Sequence, residues 1–295
     1  MTRSSVPTVP AQSQPTTTAA RAPDGPQSVG LGALQLRSFL ALLLRDLTVL
    51  RRNVPEFALR TLLQPVLFSF VFAYLFPRIG QGLSSQANFA DVLVPGLVAV
   101  TAVFCGVSTV SLPLAIEFGA TREIEDRVMA PVPGWAIATE KIVFGAVQSL
   151  AAGLLVLPAC VLTSATPVTV EVRDPALLVV VALLACWISG ALGLVVGTVV
   201  EPKRMGLAFS TLIVPLTFFG CVYYPWQALT PLPWLKVAVL ANPVVYLSEG
   251  LRAALTPSVP HMSTAAYLGA GTAFAAAMTV LGLRLFQHRV RPAAA

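Results

Sequence analysis

The chain has 295 residues, of which 56% are hydrophobic and only 11% charged, and this leaves no room for a separate soluble domain of useful size. Its formal net charge of +6 invites a nucleic-acid reading, but the basic residues sit beside apolar stretches, which argues against that partner. The composition is that of a polytopic membrane protein.

Residues 1–30 are rich in Pro, Ser, Thr, Gln and Ala and hold no apolar run. They lack the h-region of a cleavable signal and read as a disordered cytoplasmic tail. Residues 33–55 follow with Arg37, Arg45, Thr48, Arg51 and Arg52 on one helical arc and Leu36, Phe39, Leu40, Leu43, Leu47, Leu50 and Val54 on the other side. This pattern predicts an interfacial helix on the inner leaflet, serving either as a simple anchor or as a contact for a cytoplasmic partner. Its basic residues favour anionic membrane lipid under both readings.

Six apolar stretches come next, at 61–76, 92–116, 142–163, 175–200, 205–222 and 264–283, and none contains Asp, Glu, Lys, Arg or His. A hydrocarbon core about 30 Å thick takes about 20 helical residues to cross, so six transmembrane helices are expected. The first stretch is short and borrows Leu59 and Arg60 from its flank. With the N-terminus in the cytoplasm, basic residues concentrate on the cytoplasmic flanks (Arg45, Arg51, Arg52, Arg60, Arg122, Arg127, Lys141, Lys203, Arg204, Arg284, Arg289, Arg291). The outer loops keep only Arg78, Arg173, Lys236 and Arg252, so both termini are expected in the cytoplasm. Pumps driven by ion gradients carry ionisable groups within the bilayer, and these stretches offer no obvious proton carrier.

Between the second and third stretches, residues 117–135 form a short, charged connection. Thr121 is placed to cap a helix on which Ile124 and Val128 share a face, surrounded by Arg122, Glu123, Glu125, Asp126 and Arg127. Pro131 and Pro133 stop that helix, and Trp135 suits the membrane interface. A minimal connection needs none of this, so the segment from Glu117 onward reads as a docking surface for a soluble protein rather than as a solvated turn.

The segment 223–252 stays largely apolar but is cut by prolines 225, 231, 233 and 243 into pieces too short to span, suited instead to dip into the outer leaflet. Trp226 and Trp234 are interface anchors there, and Glu249 and Arg252, three residues apart, are expected to form a structural ion pair. In the fourth stretch Gly190, Gly193 and Gly197 line one side and allow another helix to approach closely. Pro95, Pro113, Pro158 and Pro215 are expected at kinks or helix ends. Cys105, Cys160, Cys186 and Cys221 show no metal-site or disulfide spacing and read as buried small residues.

In this order, the interfacial helix, the 117–135 loop with its Val-Met-Ala-Pro-Val-Pro133 exit, and the Tyr-Pro, Leu-Pro-Trp-Leu, Asn242-Pro243 and Glu249-Gly-Leu-Arg252 series resemble ABC-2 type permeases. These are the membrane subunits of exporters for daunorubicin-like drugs, nodulation factors and polysaccharides. The resemblance covers about residues 33–290 and implies an ABC-2 type transmembrane domain over 31–290, with 291–295 a short cytoplasmic tail. It implies an all-α polytopic membrane protein of the bacterial cytoplasmic membrane, with six transmembrane helices, the interfacial helix, a coupling helix near Thr121–Met129, and outer re-entrant helices across 223–252. Two copies of a cytoplasmic ATP-binding-cassette ATPase and a second permease, identical or paralogous, are the implied partners. The first and fifth spans would line the dimer interface and cargo path, with Phe68, Phe72, Phe209, Phe218 and Phe219 as candidate lining residues.

The lysines test that assignment without the family. Phosphate binding by a P-loop needs Lys followed by Ser or Thr, yet the three lysines here precede Ile142, Arg204 and Val237. No cofactor is therefore expected on this chain; ATP and magnesium belong to the partner. The resulting expectation is a non-catalytic permease subunit of an ATP-driven exporter, moving a drug-like amphiphile, a lipid or a lipid-linked glycan. The alternative is a passive channel or a non-transporting scaffold.

Overall fold

The computed structural model describes residues 50–79, 89–121, 134–165 and 168–290, together with Leu44 and Thr48. Most of the interfacial segment 33–55, the tails 1–30 and 291–295, and Arg122, Glu123, Ile124, Asp126, Arg127 and Val128 lie outside the described residues. Most of the described residues are helical, and none of them is in a strand.

Helix α1 begins at Val54 with Pro55 in its first turn, where a missing N–H costs nothing, and runs to Ser69. It continues through a π-helical turn, Phe70–Leu75, to Arg78. The expected borrowing of Leu59 and Arg60 is found, and the helix reaches five residues further back. Helix α2 (Phe89–Ile116) is prolonged by a π-helical turn, Glu117–Thr121. Helices α3 (Gly134–Thr163) and α4 (Pro175–Val199) follow, the latter capped by the Asp174 carboxylate, which accepts from the Ala176 and Leu177 amides. After α5 (Met205–Phe218) come the short α6 (Pro233–Ala238), then α7 (Pro243–Leu255) and α8 (Thr264–Val290).

Among the described residues, five helices are long and apolar enough to cross a membrane: α1, α2, α3, α4 and α8. The expected fifth crossing at 205–222 differs, because α5 has only 14 residues, or roughly 21 Å of helix. Its end has a clear cause. The chain turns at Phe219–Tyr224 with Cys221 at a left-handed φ of 51°, and the Asn242 amide donates to the Leu216 carbonyl that a further turn of helix would have used. All four singled-out prolines lie inside helices rather than at their ends.

The bundle has two distinct ends. At one, here the loop end, Phe118 packs edge-on against Phe286 at 5.7 Å, and Arg289 lies over the Phe118 ring and donates to the Thr198 carbonyl. At the other, the clamp end, the Asp91 carboxylate accepts from the Thr169 amide and hydroxyl, and the Glu171 amide donates to the Leu255 carbonyl. The chain passes from the loop end to the clamp end through α5, since Pro202 before it abuts Gly119 and Gly220 after it accepts from the Ser248 hydroxyl.

The core is the trio α2, α3 and α4, whose close approach depends on small residues. A Cβ on Gly190 would sit 2.4 Å from the Ile142 carbonyl oxygen of α3, and one on Gly197 would sit 2.8 Å from the Ser111 Cα of α2. Where Gly106 leaves room, Ser149 and Ser189 meet at 2.6 Å, and Ser149 donates to the Ala102 carbonyl. The glycine side of α4 therefore does what its spacing suggested, with Gly190 serving α3 and Gly193 and Gly197 serving α2.

Candidate functional site

Among the described residues, the hydrogen bonds that join helix α1 to the trio lie toward the clamp end. There the Ser69 hydroxyl donates to the Cys160 carbonyl at 3.2 Å, Thr163 donates to Ser69 at 3.0 Å, and the Ala165 amide donates to the Ala73 carbonyl at 3.0 Å. Toward the loop end, α1 stands away from α2 and α3 and leaves a cleft.

The cleft has two connected chambers. The outer one, of about 600 Å³, lies between the first turns of α1 and the facing ends of α2 and α3, and Glu117, Lys141 and Phe144 line it. The inner one, of about 100 Å³, continues toward the clamp end between α1, α2 and α5. Phe57, Arg60, Ser108, Thr109 and Gln148 line both.

The chamber walls are more polar than the apolar stretches suggested. On α2, Thr101, Cys105, Ser108 and Thr109 recur at helical spacing on the cleft face. Thr109 donates to Gln148 Oε1 at 2.5 Å, and Ser108 turns back to the Cys105 carbonyl at 3.0 Å. Thr61 and Gln64 on α1 and Thr217 on α5 add to the polar set. Apart from Cys105, read as a buried small residue, none of these residues was singled out from the sequence. The recurrence of Thr, Cys and Ser along one face of α2, with a glutamine in each neighbouring apolar stretch, was the available signal.

The five phenylalanines proposed for the path divide. Phe68 lines the inner chamber and stacks on Phe72 at 5.9 Å, while Tyr223 gathers Phe68, Phe72 and Phe218 at 5.9, 6.1 and 6.0 Å. These rings close the inner chamber toward the clamp end. Phe209 packs instead against Phe104 at 6.1 Å beside the chamber, and Phe219 is 47% exposed, away from the cluster.

The docking segment is seen only at its base. Glu117 is buried at the end of α2, and its carboxylate lies 3.3 Å from Lys141 Nζ on α3, so this expected docking residue joins two helices rather than presenting a free face. Thr121 ends the helical continuation of α2, and the helix it was expected to cap lies outside the described residues. The remaining docking residues lie outside the described region.

The segment 223–252 forms a buried polar clamp. Glu249 and Arg252 are both fully buried and pair at 2.5 Å. Glu249 Oε1 also accepts from the Trp226 amide at 2.9 Å, and Oε2 accepts from the Met262 amide at 2.7 Å. Arg252 donates to the Cys221 and Val92 carbonyls at 2.9 and 3.2 Å. Burial pulls the guanidinium below its ordinary value, and Glu249 opposes that shift. One ion pair thus ties together α2, the turn after α5, the start of the 226–229 turn and the lead-in to α8, so the structural reading of the pair fits its geometry. Asn242 caps α7 by accepting from the Val244 amide, with Pro243 as the first helical residue. The Trp226 indole donates to the Lys236 carbonyl with the Lys236 ammonium 4.4 Å from its ring, while Trp234 is 70% exposed. That exposure suits an interface anchor.

Known proteins share this arrangement of sequence. The profile of the family described as ABC-2 type transporter matches residues 37–256, which takes in both walls of the cleft and the Glu249–Arg252 pair. The inner membrane transport permease YadH of Escherichia coli K12 is 27% identical over 199 residues, covering 65% of this chain and 74% of that protein. YadH of Shigella flexneri is similar to the same extent, 27% over 199 residues.

Proposed function

From the premise that this chain belongs to the ABC-2 type transporter family, a family of membrane transport subunits, we propose that it is the permease of an ATP-driven exporter of amphipathic compounds. It works with two cytoplasmic ATPase subunits and a second permease. The observation that carries this reading is the position of Glu117. It is at once the first residue of the 117–135 segment, a wall of the outer chamber, and the partner of Lys141 on α3.

A force applied to that segment reaches α2 and α3 together. Because the described hydrogen bonds between α1 and α3 lie from Pro65 to Ala73, such a movement changes the width of the cleft while the clamp end holds. ATP-driven closure of the paired ATPases supplies the force through Arg122–Val128. The loop end then faces the cytoplasm, α5 with its following turn serves as the sixth crossing, and both termini are cytoplasmic. A cleft with polar walls below and aromatic rings above suits a molecule that is polar at one end and apolar at the other. Efflux of a drug-like compound, a lipid or a lipid-linked glycan all fit that description.

Co-expression with the candidate ATPase tests the reading. The wild-type chain is expected to retain the ATPase through purification, and a chain with Glu123, Ile124 and Asp126 replaced together by Ala is expected to lose it while remaining folded. Equal retention by both chains, or none by either, would leave the passive channel or scaffold as the better account.

A further inference from the structure

Arg60 stands at the edge of the stripe of α1 that lines the cleft, with Phe57, Gln64 and Phe68, while Leu59, Leu63 and Leu67 on the adjacent stripe are exposed. Among the described residues its guanidinium forms no hydrogen bond and no ion pair. The nearby acids do not occupy it. Glu117 is engaged with Lys141, and Glu56 lines only the outer chamber, one turn toward the mouth. Among the described residues, no carboxylate lines the inner chamber.

Two of the polar groups around Arg60 carry amide N–H donors. Gln148 spends its carbonyl oxygen on Thr109, and its Nε2 donates to nothing among the described residues. The Gln64 amide lines the same chamber. A planar cation flanked by spare amide N–H groups complements an oxyanion, which it binds through short charge-assisted hydrogen bonds. Immediately beyond, Phe68, Phe104 and Ile213 offer an apolar wall.

We infer that Arg60, with Gln64 and Gln148, binds the phosphate or carboxylate headgroup of the transported amphiphile, whose chain lies along Phe68 and Phe104 in the inner chamber. This rests on the cleft being the cargo path and narrows the cargo to anionic amphiphiles. Arg60 lines both chambers, so a larger polar portion attached to the headgroup has the outer chamber to occupy.

The test is photolabelling of the full-length chain, without ATPase, in phosphatidylcholine nanodiscs. The probes are a diazirine-bearing dodecyl phosphate and its neutral dodecanol counterpart, with the labelled peptides mapped by mass spectrometry. The phosphate probe is expected to label the peptides around Phe68 and Phe104. Arg60→Gln should cut that labelling about tenfold or more, Arg60→Lys should restore part of it, and Gln148→Leu, which keeps the guanidinium, should weaken it severalfold. Neutral-probe labelling should be unchanged by Arg60→Gln, which also reports that the variant is folded. Equal labelling by the two probes in the wild type, or indifference of the phosphate probe to Arg60→Gln, would overturn the inference. Full competition by inorganic phosphate would make this a free-anion site, and full competition by phosphatidylglycerol would make it a bilayer-lipid site; either result also overturns it. Because no ATPase is present, failure here leaves ATPase capture through the 117–135 segment to be judged on its own result.

Discussion

Lys141 on α3 holds Glu117 at the end of α2 across 3.3 Å, both side chains being almost wholly withdrawn from the surface. The contact closes the base of the 117–135 segment and walls the outer chamber, so it joins the place where force would enter to the place where it would act.

If that joint transmits force, Lys141→Met in the assembled complex should lower amphiphile-stimulated ATP hydrolysis more than basal hydrolysis. A double-mutant cycle with Glu117→Gln should show a coupling energy of about 0.5–3 kcal/mol in thermal unfolding. Additive effects of the two substitutions would mean that the contact carries nothing.

Arg252→Met leaves Glu249 buried without its cation, a change that costs about 3–5 kcal/mol where the partner cannot relax. The expected readout is a marked fall in melting temperature and loss of a single gel-filtration peak in detergent. Transport in any surviving folded fraction should be intact, because the pair holds the fold and does not line the cleft.

Glycine substitutions separate close packing from open helix surface. Gly190→Ala pushes a methyl group against the Ile142 carbonyl and should destabilise by about 1–3 kcal/mol. Gly206→Ala, with nothing within 4 Å of the added carbon, should be neutral or stabilising by up to about 1 kcal/mol. Thermal unfolding of the two proteins side by side checks both signs.

Among the aromatic residues, Phe68→Ala should alter amphiphile-stimulated hydrolysis and Phe219→Ala should not. The first ring lines the inner chamber, whereas the second lies 47% exposed outside it. The reverse pattern would move the path to the outer face of α5.

Much of the architecture was legible because bilayer physics leaves few options: long uncharged stretches must be helices, and the glycine side of α4 could only serve close packing. The end of α5 was harder to read, since Phe219–Val222 is as apolar as the helix before it and only the long-range donation from Asn242 shows where the helix stops. The Glu249–Arg252 pair could be read from its spacing of three, but its carbonyl partners at Val92 and Cys221 are far apart in sequence. The cleft was missed for a related reason. Thr109, Gln148 and Gln64 each look incidental within an apolar run, and only the divergence of α1 from α3 brings them to one chamber. Arg60, read as a flank of the first span, proved to face inward.

The most direct measurement is the width of the cleft through the ATP cycle. Spin labels on Phe57→Cys and Phe144→Cys would report across the outer chamber, with the four native cysteines buried and poorly reactive. In the permease–ATPase complex, the distance distribution in the vanadate-trapped state should differ from that in the nucleotide-free state, and the chain with Glu123, Ile124 and Asp126 replaced by Ala, given the same ATPase and nucleotide, should show no shift. An identical distribution in both states, in a complex that hydrolyses ATP, would contradict the claim that the cleft is the part of the permease that ATP moves.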